Sequence, residues 1–239
     1  MPRHFRPSIL RPSAVALALL VCAACEARDQ RGTLARARGG IVRVGVVENP
    51  PWTTLPTGGG AGGIEGALAA EVARDLGARI EWVRAPESHL LEALAFHELD
   101  LVIGGLTDAI PWKGRVAFTR PFYTDTIVVG VLPGMPRLPR RLNGRKVAIR
   151  LTDPATAAFV RAVGGVPQPL PNIGHTVGLV AAPTWQLPRM GFVPSGITLR
   201  EARHVMALPP REDAWRAFVE ASLGKRTSII AEVLRMSQP

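Results

Sequence analysis

Cysteine is almost absent from this chain of 239 residues: only Cys22 and Cys25 occur, both within the first 25 positions. Past that segment no pair remains for an internal disulfide, so ordinary burial and hydrogen bonding must hold the fold. Lysine is nearly as scarce, with Lys113, Lys146 and Lys225 the only three among 29 Lys+Arg. Arginine dominance is compatible with phosphate recognition by the guanidinium fork, but it is read here as a general preference for Arg scattered over solvated faces. Aromatic residues make up only 5%, and they are not interleaved with clustered cations despite the net charge of +10. A nucleic-acid binder needs that pattern, so no nucleic-acid partner is expected.

Other absences narrow the chemistry. The five histidines (His4, His89, His97, His175, His204) are dispersed, without metal-ligand spacing, and read as surface or helix filler. The glycine-rich stretch from Gly58 to Gly63 lacks the Gly-Lys-Ser/Thr of a phosphate loop, and there is no Gly-x-Ser-x-Gly elbow. No metal, cofactor or catalytic residue is expected. Beyond the first 25 residues no apolar run approaches the roughly 20 residues of a membrane helix.

What is present begins with the leader. Arg3, Arg6 and Arg11 precede the apolar run Ser13 to Val21, and small residues follow, which is the layout of a secretory signal peptide. Cys22-Ala23-Ala24-Cys25 resembles a bacterial lipobox, in which cleavage frees Cys25 for lipidation. A C-x-x-C within a leader has no folded frame to serve redox or metal chemistry. We therefore expect a leader over 1–25, a flexible tether over 26–40, and a periplasmic or cell-surface protein anchored by lipid, with a soluble periplasmic product as the alternative.

The full chain is 47% hydrophobic, and the part beyond the leader is patterned as alternating strands and helices. Ile41 to Val47 is a β-branched run, Leu68, Val72 and Leu76 share a helical face closed by Gly77, and Ile80 to Val83 is a second strand. A helix over 88–99 leads to a third strand at Leu101 to Ile103. This order predicts right-handed crossovers and a parallel sheet. Further strands are expected at Thr126 to Leu132, Lys146 to Ile149, Gly178 to Ala182 and Val205 to Leu208. Helices are expected from near Pro154, at Thr184 to Met190, at Glu212 to Ser222 and at Thr227 to Met236.

Three motifs follow one another at spacings that resemble the bacterial extracellular solute-binding proteins of family 3, the amino-acid receptors of ABC importers. They are Asn49-Pro50-Pro51-Trp52 after strand one, Gly63-Ile64-Glu65 opening the first long helix, and the block Leu99 to Thr107 continued by Arg115 to Tyr123. The resemblance implies an α/β protein of the type II periplasmic-binding-protein fold, with two α/β lobes joined by two crossing strands. The first lobe would span 41–125 plus 209–239, and the second 126–208 including the hinge strands. Only about 25 residues separate Thr152 from Gly178, so either the second lobe is reduced or the cleft is shallower than usual.

It further implies a monomeric receptor that holds a small polar solute, an amino acid or related compound, and presents it to ABC permease subunits. The candidate ligand-binding residues are Asn49, Trp52, Glu65, Gly105, Thr107, Lys113 and Thr152. Trp52 would be a flat apolar wall, and Gly105 and Thr107 would face a carboxylate beyond the strand ends. The chain departs from the family pattern at three points. Lys113 stands near the place of the family's carboxylate-binding Arg, Leu151-Thr152 replaces a Gly-Thr pair, and no acid falls near 178–183 to meet an amino group. Two rivals share the fold: a periplasmic dehydratase with Glu65 as its acid, and a sensing module without transport.

Overall fold

The computed structural model describes residues 29–151, 154–171, 173 and 178–236. The leader, Cys25, Thr152 and His175 lie outside them.

Two five-stranded sheets organise the chain. The first has the order β2-β1-β3-β10-β4 and the second β7-β6-β8-β5-β9. In the first, β1 (Ile41–Val46) pairs in parallel with β2 (Arg79–Arg84) and with β3 (Leu101–Ile103). Its centre is β-branched and leucine-rich because helices cover both faces. On one face lie α1 (Thr33–Ala37) and α2 (Gly63–Leu76), which buries Ile64, Leu68, Val72 and Leu76. On the other lies α3 (Glu87–Ala95), which buries Leu90, Leu91 and Leu94 against Val102. Gly77 caps α2 in the left-handed conformation, as its position suggested.

The chain crosses to the second sheet along β5 (Tyr123–Val131) and returns along β9 (Val193–His204), which pair antiparallel from Tyr123↔His204 to Val131↔Val193. Beside them stand β8 (Leu179–Pro183), β6 (Lys146–Arg150) and β7 (Val166–Leu170), with α4 (Pro154–Ala162) on one face and the loop bearing Leu187 and Phe192 on the other. The second layer thus has five strands but a single α-helix among the described residues.

β4 (Ala117–Phe118) and β10 (Ala207–Leu208) complete the first sheet, so both borders expected between the lobes shift by a few residues. β5 enters the second sheet at Tyr123, and residues 207–208 pair with the first. Two helices close the chain, α5 (Asp213–Gly224) and α6 (Thr227–Met236). Trp215 of α5 is fully buried in the first layer and donates its indole N–H to the carbonyl of Asp100 at 2.7 Å.

Two expectations are corrected. The tether does not extend over 29–40, because Thr33 and Ala37 of α1 are buried and the segment docks on the start of α5. The amides of Arg31 and Thr33 donate to the Glu212 carboxylate at 2.6 and 3.1 Å. The helix over 184–190 shrinks to one 3₁₀ turn at Pro188–Met190. The strands β7 and most of β9 had no counterpart in the expected order. Both are edge strands, where Pro167, Pro169 and Pro194 are tolerated.

The Asp29–Glu212 contact makes docking of the N-terminal segment pH-dependent. Burial, and then Glu212, push the Asp29 carboxyl up to about 6. A raised acid favours the protonated folded form, so its stabilising contribution is complete below the ordinary value near 3.8 and is lost as pH rises through about 6. Asp29→Asn should therefore raise the melting temperature more at pH 7.5 than at pH 5. An equal change at both would contradict this linkage.

Candidate functional site

The ends of β1 and β3 are shaped by a buried carboxylate. Glu65 sits in the first turn of α2, fully buried, and its Oε2 accepts the amides of Gly104 at 2.7 Å and Gly105 at 2.9 Å and the Thr53 hydroxyl at 3.3 Å. Burial pushes its pKa up, while those two amides pull it down. Gly105 has φ +69°, and a Cβ there would lie 2.4 Å from Nδ2 of Asn49 and 2.9 Å from Cδ1 of Trp52. Asn49 closes the same turn by donating Nδ2–H to the carbonyl of Gly104 at 2.9 Å. One acid, one amide and one glycine thereby hold the loop after β1 against the turn after β3.

Above this floor lies a cleft of about 760 Å³ between the two layers. The first layer contributes Asn49, Trp52, Thr54, Gly105 and Thr107. The second contributes Arg150 at the end of β6, Trp185 and Gln186 after β8, Arg189 in the 3₁₀ turn and Arg200 on β9. Asp125 on β5 and His204 on β9 stand where the crossing strands pass.

Asp125 joins the two sides. It is buried, its Oδ1 accepts the indole N–H of Trp185 at 2.8 Å, and its Oδ2 lies 3.3 Å from Nε2 of His204. His204 in turn stacks on Trp52 with ring centroids 3.7 Å apart and planes tilted by 24°. Trp185 reaches over to the apolar cluster of the first layer. A tryptophan from each layer, a histidine and an aspartate thus form one continuous structure across the cleft.

Of the residues singled out in the sequence, Asn49, Trp52, Gly105 and Thr107 come together in the cleft wall. Trp52 is only 5% exposed, and a ring face that would have met a solute meets His204 instead. Glu65 lies beneath the wall and shapes it without lining it. Lys113 is exposed in the turn before Val116 and does not line the cleft. Thr152 is outside the described residues.

Sequence reasoning missed Asp125, Arg150, Arg189 and Arg200, and set His204 aside as filler. His204 is buried, and the spacing of Arg200, Ala202 and His204 on alternate residues is the signal that one strand face carries all three into the cleft. Among the described residues no group of His, Cys, Asp and Glu could hold a metal ion.

Two α/β layers joined by two crossing strands, with a cleft at the carboxyl ends of the strands, define the type II periplasmic-binding-protein architecture. The chain belongs to the bacterial extracellular solute-binding proteins, family 3, whose sequence model matches residues 42–228. No curated protein matches it at a significant level. Among solved structures, an ancestral cationic amino acid solute binding protein is similar with a TM-score of 0.69 at 18% identity, covering 87% of this chain and 100% of that one. The L-cystine solute receptor of Neisseria gonorrhoeae gives 0.68 at 14% identity, covering 86% and 95%. A mutant of the protein ArgBP from T. maritima gives 0.56 at 20% identity, covering 86% and 98%.

The tight floor yields a direct test. Gly105→Ala forces a side chain into a left-handed residue against Asn49 and Trp52, which should lower the unfolding free energy by about 1–3 kcal/mol in urea denaturation. Unchanged stability would show that the turn is not packed as described.

Proposed function

We propose that this protein is an extracytoplasmic receptor that encloses a small polar solute between its lobes and presents the closed form to the membrane subunits of an ABC importer. The observation that carries this reading is the cleft lined from both layers, because a solute held there contacts both lobes at once only when they are shut. Such a solute stabilises the shut state by its differential affinity for it. The lobes divide at the two crossing strands, with residues 29–122 and 205–236 on one side. Asn49, Gly105 and Thr107 form the first lobe's share of the site, and Thr152, near the end of β6, is the candidate on the other.

Family membership supports export, and the leader with Cys25 supports a lipid anchor at the outer face of a membrane. No helix among the described residues is long and apolar enough to cross one. The similar structures include receptors for amino acids, which sets the size of the expected solute. One is an ancestral amino acid-binding protein described as a precursor of cyclohexadienyl dehydratase. The acid such chemistry would need is not available from Glu65, which is fully buried and already accepts two amides. Family membership and the similar binding proteins favour a binding role over turnover.

A thermal-shift screen of the purified protein against amino acids, amines and small organic acids tests the proposal. A solute at a hundredfold excess over its dissociation constant should stabilise the fold by about 2.7 kcal/mol. Screening without a single stabilising compound, together with turnover of prephenate or arogenate, would favour the enzyme instead.

A further inference from the structure

The charges of the cleft are distributed unevenly. Among the described residues that line it, Arg150, Arg189 and Arg200 are cationic and Asp125 alone is a carboxylate. Asp125 is already engaged at both oxygens, by Trp185 on one and His204 on the other. Among the described residues, an ammonium group in the cleft would thus face three cations and one carboxylate that already holds two partners. In the first lobe, Nδ2 of Asn49 donates to Gly104 and the Gly105 amide donates to Glu65.

Arg189 is the opposite case. Its Nε and Nη2 are buried and have no hydrogen-bond partner, and its guanidinium lies 5.8 Å from the centre of the Trp185 ring. Buried guanidinium donors left idle are unfavourable, whereas a carboxylate or phosphate meets such a fork with two charge-assisted bonds. Arg150 lines the same cleft from the end of β6, exposed and outside both cores. Two cations that converge on one cavity match a solute with more than one negative charge.

Resting on the receptor reading above, we infer that the solute is a small polyanion, with two or more negative charges on carboxylate or phosphate groups and no ammonium group, held by Arg189 and Arg150. The zwitterion of an α-amino acid would leave its ammonium facing cations. This explains why the family's carboxylate-binding Arg and amino-binding acid have no counterparts here: the anchoring charge has moved to the second lobe.

The test is calorimetric titration of the purified protein with four probes: citrate, glycerol 3-phosphate, L-arginine and L-glutamine. Binding of citrate or glycerol 3-phosphate, weakened by added salt, with no binding of the two amino acids, is the expected result, and the stronger of the two anions separates carboxylate from phosphate. Arg189→Gln should weaken that binding roughly tenfold or more, with Arg189→Lys in between. Arg150→Gln serves the same purpose at an exposed position if Arg189→Gln fails to fold. Binding of an amino acid with both anions inert would overturn the polyanion and leave the receptor standing. Silence from all four probes would overturn the polyanion, while the wider solute screen decides the receptor separately. Anion binding untouched by both glutamine variants would place the anion elsewhere and overturn the site.

Discussion

The arrangement of this site depends on the carboxylate of Asp125. It lies on a strand that passes between the lobes, and it holds an indole from the second lobe and an imidazole from the returning strand. Through the stack of His204 on Trp52 the same contact extends into the first lobe's core. A buried acid normally requires satisfied oxygens, and here satisfying them is what ties the two crossing strands and two aromatic side chains together. Removing an acid from such a position also strands its partners, so the position links fold and site.

Glu65 plays the equivalent part on the first lobe alone. The floor of the cleft is a backbone turn, and backbone turns keep their shape when each donor has an acceptor. Glu65 supplies that acceptor for two consecutive amides from inside the core. Its position explains how a residue in a recognisable motif can shape the floor of the cleft without lining it.

Most of the first lobe was legible in the sequence because its order is local. A β-branched run, an amphipathic helix closed by Gly77 and a leucine-rich third strand are short-range patterns, and helices on both faces keep them apolar. The second lobe was harder to read. β7 reads Val-Pro-Gln-Pro-Leu and β9 carries Pro194, Gly196 and alternating charges, which argue against a strand unless it is known to lie at an edge. Losing β9 meant losing Arg200 and His204 with it. Arg189 was invisible for another reason: its place in the cleft follows from one 3₁₀ turn and a contact with Trp185, neither of which has a sequence period.

The electrostatic character of the cleft follows from this division of labour. On the proposed reading, the first lobe provides a neutral, preorganised floor and the second would bring the cations as the halves approach, which would make solute capture and lobe closure one event. Small-angle X-ray scattering of the protein, with and without the compound that most raises its melting temperature, tests this most directly. A fall in the radius of gyration upon binding is the result this account predicts. A compound that stabilises the fold while leaving the scattering profile unchanged would contradict it.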